Sequence, residues 1–120
     1  MKITSSQKKL LETKGVALAT TNLDDSPNVI AIGFAKVVAD DLIVITDNFM
    51  KQTPVNLKND HRICLAVWSD DWEEGYKFVG TADYETQGKW AQFVKEMKEN
   101  KDMPAKAAMV MKVRKVIKLG

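Results

Sequence analysis

The chain has 120 residues, of which 45% are hydrophobic, and a formal net charge of +2. This length is close to the commonest size of one domain, so we expect residues 1–120 to form a single domain. The small net charge excludes a global electrostatic basis for binding nucleic acid or a membrane surface. With one cysteine and one histidine, the chain lacks the residues for an internal disulfide or the usual zinc site, and we predict no metal site.

Targeting signals are not visible in the sequence. The N-terminal segment is polar and has no apolar core of the kind that signal peptides carry. No apolar run approaches the roughly 20 residues that a membrane-spanning helix needs. We therefore expect a cytoplasmic protein without membrane contact.

The first half of the chain is predicted to be a helix followed by three strands. Thr4 and Gln7 have the spacing of a capping box, and Gly15 is well placed to end the opening helix. Strands are predicted at 16–21, 28–38 and 42–46, separated by turn residues. The last of these is apolar throughout, which indicates burial on both faces. Gly33 lies inside the second strand and indicates a bulge or a close backbone approach.

The second half is predicted to contain two helices and three strands. Thr53 followed by Pro54 predicts a helix capped by Thr53 and covering 54–60. An apolar stripe predicts a second helix over 87–100. The strands are expected at 61–69, 76–85 and 108–119, the last with a bulge at 115–117. Six strands with short connections favour a mainly β protein, with an antiparallel sheet closed into a barrel and flanked by two or three helices.

The segment from Thr46 to Thr53 is the strongest candidate for a ligand site. Lys51 offers an ammonium group, while Gln52 and Thr53 offer side-chain donors. The first turn of the following helix adds backbone N–H groups and the positive end of the helix dipole. Together these groups predict a site for a phosphate-bearing ligand. The alternative is an ordinary capped helix beside a solvated lysine.

Conventional catalytic groups are scarce. Cys64 lies in an apolar strand, where we expect it to be buried rather than catalytic. Trp72 lies in an acidic loop and must be covered by its own barrel, by a ligand or by another subunit. The basic residues that follow Asp102 are interpreted as a solvated strand face. A basic module that binds nucleic acid remains the alternative for them, although no nucleic acid partner is expected.

Four segments, taken in order, resemble the FMN-binding split-barrel family, which includes pyridoxamine 5′-phosphate oxidase and small FMN-binding proteins. The segments are the opening helix before GVALATT, the strand PNVIAIGFAKVV, the block ITDNFMKQTPVNLKNDHRICLAVW and the strand GYKFVGTA. The similarity covers almost the whole chain. Two departures are visible: the family's Lys-Thr pair is interrupted as Lys51-Gln52-Thr53, and the frequent arginine on the second strand is missing from VIAIGF.

The resemblance implies a six-stranded antiparallel split β-barrel and a homodimer with FMN at the subunit interface. It implies that the phosphate is held near Lys51 and that the isoalloxazine ring lies along the strand backbone. The implied cofactor-binding residues are Val29, Ile30, Ala31, Ile32, Thr46, Asp47, Asn48, Lys51, Gln52 and Thr53. The implied function is that of a small flavoprotein, either an oxidoreductase or an electron-transfer protein. The alternative is a non-catalytic binder or carrier of flavin, deazaflavin or a tetrapyrrole.

Overall fold

The computed structural model describes residues 1–119. Its elements in chain order are α1 (Ser5–Thr13), β1 (Val16–Thr21), β2 (Pro27–Ile32), β3 (Ala35–Ala39), β4 (Leu42–Asp47), α2 (Gln52–Asn59), β5 (Arg62–Trp68), β6 (Gly75–Glu85), α3 (Lys89–Glu96), a 3-10 turn (Lys98–Asn100) and β7 (Ala107–Lys118). Across these residues, none of the helices combines the length and the apolar character that crossing a bilayer would require.

All of these strands belong to one antiparallel sheet, with the order β2-β1-β5-β6-β7-β4-β3. The two edge strands, β2 and β3, are consecutive in the chain and are separated only by Gly33 and Phe34. Two linking residues allow the strand ends to lie at most about 11 Å apart. The sheet therefore curls until its two edges meet at this corner.

The predicted number of six strands is wrong, because the strand expected at 28–38 is divided. Its first part, β2, pairs with β1, whereas its second part, β3, pairs with β4. The break falls at Gly33 and Phe34, where the chain passes from one edge of the sheet to the other. Gly33 thus marks a corner between strands rather than a bulge within one strand. The mainly β class, the antiparallel pairing and the flanking helices agree with the prediction.

The helix boundaries follow the sequence signals only in part. The capping box of α1 is confirmed, since Gln7 N donates to Thr4 Oγ1 at 3.2 Å and Thr4 N donates to Gln7 Oε1 at 2.9 Å. The predicted start of α2 is wrong: Lys51 is the N-cap, and Thr53 lies within the first turn. The helix predicted over 87–100 is also shorter, because Met97 has an extended conformation (ψ 134°) that ends α3.

The final strand contains the predicted irregularity at a slightly earlier position. Val79 pairs with Lys115 while Gly80 pairs with Val113, so Arg114 is the extra residue of the bulge. A side chain at Gly80 would overlap the backbone carbonyl of Lys112. This close approach explains the glycine inside β6.

The strands bury apolar side chains on both faces of part of the sheet. The barrel interior is filled mainly by strand residues, and Leu10 and Leu11 of α1 and Leu57 of α2 belong to the same buried cluster. On the outside, Val94 of α3 packs against Val44 of β4 and Ala108 of β7. The prediction that the strand at 42–46 is buried on both faces is therefore confirmed.

Candidate functional site

A cavity of about 460 Å³ lies beside the corner at which the sheet edges meet. Its volume is within the range of small-molecule sites, roughly 300–1,000 Å³. One wall is the end of β2 with the Gly33–Phe34 corner, and the other is the loop from β4 into α2. The lining residues are Ile30, Ala31, Ile32, Gly33, Phe34, Thr46, Asn48, Phe49, Met50, Lys51, Gln52, Thr53 and Met103. Most are apolar, and Lys51 is the one charged residue among them.

The most unusual polar group of the cavity is the hydroxyl of Thr53. The residue is 1% exposed, and its Oγ1 has no hydrogen-bond partner within residues 1–119. An unpartnered buried hydroxyl costs roughly 1–3 kcal/mol. Because the N-cap of α2 is Lys51, the Thr53 hydroxyl is not engaged in capping. Thr53 is also one of the residues that line the cavity.

The start of α2 adds further donors beside this hydroxyl. The N–H groups of Gln52 and Thr53 lie in the first helical turn, where no intrahelical acceptor exists. Pro54, the third helical residue, has no N–H. The exposed ammonium group of Lys51 lines the same cavity. Three consecutive cavity-lining residues thus contribute two amides, a hydroxyl and a cation, and groups of this kind suit an anion.

A buried amide network positions the side chain of Gln52. Gln52 Nε2 donates to Asn56 Oδ1 at 2.8 Å, and Asn56 Nδ2 donates to Thr20 Oγ1 at 3.0 Å and to Asn22 Oδ1 at 2.9 Å. Asn56 is fully buried. The network joins the first turn of α2 to β1. Sequence reasoning missed Asn56 and Thr20, although Asn56 follows Gln52 by four residues and therefore shares its helix face.

A second buried network fixes the opposite end of the loop. Asn100 Nδ2 donates to Thr46 Oγ1 at 2.9 Å and to the carbonyl oxygen of Val94 at 2.8 Å. Ala105 N donates to Asn48 Oδ1 at 2.7 Å. These bonds hold the segment 98–106 against the end of β4, and this segment brings Met103 to the cavity. Asn100 gave no sequence signal, because its partner Thr46 is distant in the chain.

Asp47 lies behind the loop rather than in the cavity. Its fully buried carboxylate accepts hydrogen bonds from Met50 N, at 2.8 Å, and from the hydroxyl of Tyr84. Lys106 Nζ lies 3.9 Å from Asp47 Oδ1 and donates to the carbonyl oxygen of Met50 at 2.9 Å. Burial and the neighbouring carboxylate raise the pKa of Tyr84. Asp47 therefore holds the loop that carries Lys51.

The predicted ligand residues are brought to one place with two exceptions. Eight of the ten line the cavity: Ile30, Ala31, Ile32, Thr46, Asn48, Lys51, Gln52 and Thr53. Val29 is 65% exposed and is absent from the lining, as is the buried Asp47. The polar atoms of Thr46 and Asn48 already bond within the chain, so these two residues contribute mainly shape. Contact of the eight residues with a ligand stays a prediction.

The cavity borders an outer face of the sheet that is made of small apolar side chains. Ala31, Ala17 and Ala66 are aligned across β2, β1 and β5, and a second row contains Val29, Ala19 and Cys64. Val29 and Ala31 are exposed, and the other four are half-buried. The expectation that Cys64 is buried is only partly met, although burial raises the pKa of its thiol. Ala31 belongs both to this face and to the cavity.

Comparison with known proteins identifies the family of the chain. A family model described as pyridoxamine 5′-phosphate oxidase matches residues 3–120. The chain belongs to the pyridoxamine 5′-phosphate oxidase family. The predicted family resemblance is thereby confirmed. The chain is 29% identical over 123 residues to an uncharacterized protein of Methanocaldococcus jannaschii, a match that covers 99% of this chain and 82% of the relative.

Solved structures of similar proteins share the fold. The crystal structure of HupZ from Group A Streptococcus superposes with a TM-score of 0.88 and 26% identity, covering 98% of this chain and 94% of that one. An FMN-binding protein from Syntrophomonas wolfei superposes with a TM-score of 0.75 and 18% identity, covering 94% and 83% of the two chains. The second likeness shows a shared fold alone.

Proposed function

We propose that the protein binds FMN, with the phosphate at the start of α2 and the isoalloxazine ring in the apolar part of the cavity. The observation that carries the proposal is at Thr53, a cavity-lining residue beside Lys51 whose buried hydroxyl lacks a partner within residues 1–119. A phosphate oxygen would accept a hydrogen bond from this hydroxyl and remove the cost of leaving it unpaired. Family membership and an FMN-binding structural relative support the assignment.

The charge of the cavity favours a ligand with a single phosphate. Lys51 is the one cation of the described lining, and Lys106 is engaged by Asp47 and the Met50 carbonyl. One ammonium and two helix-terminal amides match a phosphomonoester, whereas a diphosphate would bring charge that has no matching cation. Ile30, Ile32 and Phe34 offer apolar surface to a planar ring. These features favour FMN over FAD.

The proposed activity is that of a small flavoprotein that transfers electrons or hydride. FMN supplies this redox chemistry when bound, so the protein itself needs no catalytic triad. The role of Lys51 and Thr53 is to hold the phosphate, and that of the Asn56 and Asn100 networks is to keep the loop in place. Ile32 and Phe34 exclude water from one side of the ring.

A non-catalytic flavin carrier is the second candidate. The described cavity lining contains no histidine, cysteine, tyrosine or carboxylate, so Lys51 is its sole side chain that can exchange a proton. FMN-loaded protein should be mixed with NADH or NADPH and common electron acceptors. Turnover supports the oxidoreductase, whereas bound FMN without turnover supports the carrier.

We also propose that a second copy of the chain covers the outer face formed by the rows of Ala31 and Val29. This face is apolar, and Val29 is 65% exposed on it, which is typical of an interaction surface. Since Ala31 belongs to the face and to the cavity, the partner would close the open side of the flavin site. Light scattering should report a dimer that Val29→Asp converts to a monomer and Val29→Thr preserves. A strictly monomeric, FMN-loaded protein would contradict this assembly.

The proposed function is tested by titrating the purified protein with FMN. We expect a yellow protein, or saturable quenching of flavin fluorescence when FMN is added. Riboflavin, which lacks the phosphate, should bind at least about tenfold more weakly, because one charge-assisted contact contributes about that factor. No FMN binding at high micromolar concentration would exclude the function. If a deazaflavin or a tetrapyrrole bound more tightly than FMN, that compound would be assigned as the ligand instead.

A further inference from the structure

Two tryptophans form an exposed groove at the β5–β6 hairpin, and the groove shares no lining residue with the proposed flavin site. The rings of Trp68 and Trp72 are stacked, with centroids 6.1 Å apart and an interplanar angle of 19°. Trp72 is 79% exposed and Trp68 is 39% exposed. A groove of about 500 Å³ lies between these rings and the side chain of Leu119, with Gly75 as its floor. A Cβ at Gly75 would lie 3.1 Å from Leu119 Cδ1, so the glycine keeps the groove open.

The hairpin between β5 and β6 is built to hold Trp72 in this exposed position. Ser69 N donates to the carbonyl oxygen of Glu74 at 2.8 Å, and Trp72 N donates to that of Ser69 at 3.0 Å. The Asp71 carboxylate accepts hydrogen bonds from Ser69 Oγ, at 2.7 Å, and from Glu73 N, at 3.0 Å. Trp72 itself has a φ of 67°, which is unfavourable for a bulky side chain. The turn is therefore preorganised, and its exposed ring is not the result of a loose loop.

The rim of the groove is strongly acidic. Glu73 and Glu74 line the groove, and the same turn also contains Asp70 and Asp71. Lys14 pairs with Asp70 at 2.8 Å, whereas Glu73 and Glu74, which line the groove, form no ion pair within the described residues. Such a rim repels nucleic acids, phosphates and other anions, and it attracts cations.

Trp90 differs from the two groove tryptophans because a cation of its own chain lies beside its ring. The ammonium group of Lys89 lies 4.6 Å from the centroid of the Trp90 ring, so this indole has a cation from its own chain. No comparable cation of residues 1–119 lies over Trp68 or Trp72. Indole is the best cation–π acceptor among the side chains. The groove therefore combines two indole rings and two unpaired carboxylates without an internal cation.

We propose that the Trp68–Trp72 groove binds a small free organic cation that carries an ammonium head and an apolar substituent. The head would lie against the indole surface with Glu73 and Glu74 as counter-charges, and the apolar part would contact Leu119. A neutral apolar ligand would gain nothing from the carboxylates. This site is separate from the cavity at α2, and it does not depend on FMN binding.

The test uses choline and its uncharged analogue 3,3-dimethylbutan-1-ol, which have nearly the same shape. Tryptophan fluorescence is measured in a Trp90→Phe background, so that only the two groove indoles report. We expect choline to produce a saturable change and the neutral analogue to bind at least about tenfold more weakly, in proportion to the lost cation–π and carboxylate attraction. An equal response to both compounds, or no saturable response to choline, would overturn the proposal.

Variants of the groove separate ligand binding from folding. Binding of choline to the double variant Glu73→Gln, Glu74→Gln should be weakened about fivefold or more, because both counter-charges are removed. Choline binding by Trp72→Ala, followed by calorimetry, should be lost while its thermal unfolding midpoint stays close to that of the parent. Unchanged choline affinity in either variant would overturn the proposal. The proposal would also be overturned if light scattering showed that Trp72→Ala dissociates a dimer, because the hairpin would then be a subunit contact.

Discussion

Two buried polar groups near the cavity, Asn100 and Thr53, differ in whether their hydrogen bonds are made. Asn100 is 3% exposed, and it donates to Thr46 Oγ1 and to the carbonyl oxygen of Val94. Thr53 is 1% exposed, and its hydroxyl has no partner in the described part of the chain. The other buried polar side chains behave like Asn100, and they are Thr20, Thr46, Asp47, Asn48 and Asn56.

The difference separates groups that hold the fold from a group that we propose to bind a ligand. Nearly all buried polar groups of folded proteins are hydrogen-bonded, because an unmade bond is costly. The two asparagine networks obey this rule and fix both ends of the β4–α2 loop. The unpaired hydroxyl of Thr53 is an exception to this rule, and Thr53 lies in the first turn of α2 beside the cavity. Four experiments test this difference.

The largest effect is expected for Asn100→Ala. This change leaves the Thr46 hydroxyl and the Asn48 amide without their buried partner, so it should lower the free energy of unfolding by about 3 kcal/mol. Urea unfolding of the protein without ligand measures the loss. The exposed Asn59→Ala is the control and should change stability by less than about 0.5 kcal/mol. A loss as small as that of the control would show that the Asn100 network is not structural.

Thr53→Val, unlike Asn100→Ala, should not destabilise the protein. Replacing an unpartnered buried hydroxyl with a methyl group of the same shape removes a desolvation cost, so stability without ligand should stay constant or rise by about 1 kcal/mol. Thermal unfolding without ligand checks this expectation. Destabilisation as large as that of Asn100→Ala would mean that the hydroxyl is already satisfied in the folded chain.

Lys51→Gln should weaken FMN binding without a change in stability. Lys51 is exposed and makes no ion pair within residues 1–119, so its charge is available to the ligand. We expect the FMN dissociation constant to rise about fivefold to tenfold, with a weaker dependence on salt. Lys118→Gln is the matched control and should leave the FMN dissociation constant unchanged. Equal effects of the two changes would place the phosphate elsewhere.

Tyr84→Phe should produce the smallest effect, and the effect should depend on pH. The pKa of Tyr84 is raised in the folded state above its ordinary value of 10.0, so the folded chain holds the phenol proton more tightly than the unfolded chain does. Its contribution is fully present below about pH 10 and is lost as the pH rises further. The stability difference between parent and variant should therefore be constant below about pH 10 and narrow as the pH rises above this value in unfolding experiments. A constant difference would show that the phenol does not bond to the Asp47 carboxylate.

Local signals in the sequence predicted the elements well but not the way in which the sheet closes. The capping box at Thr4 and Gln7 and the strand at 16–21 depend on neighbouring residues, and both were found. The division of the strand at 28–38 was missed, because β2 and β3 pair with strands that are distant in the sequence. The boundary of α2 was missed for a related reason. Thr53 is a favourable cap by type, yet the loop held by Asp47 starts the helix earlier.

Part of the candidate site could also be predicted from local sequence signals, and part could not. The cluster of Lys51, Gln52 and Thr53 follows from residue type and position, and the structure brings it to a cavity with Ile30 and Ile32. The supporting residues could not be found, because Asn100 and Asn56 act through contacts with distant strands. Two of the predicted ligand residues, Asp47 and Val29, do not line the cavity. Strand alternation turns Asp47 away from its cavity neighbours Thr46 and Asn48, whereas Val29 shares the face of Ala31 but does not reach the cavity.

The central claim is that the flavin phosphate is held by the Thr53 hydroxyl at the start of α2. Its most direct test is the ratio of the riboflavin and FMN dissociation constants, measured for the parent protein and for Thr53→Val. The phosphate is the sole difference between the two ligands, so loss of the hydroxyl should affect FMN alone and lower this ratio by about tenfold. A ratio that is unchanged by Thr53→Val would contradict the claim.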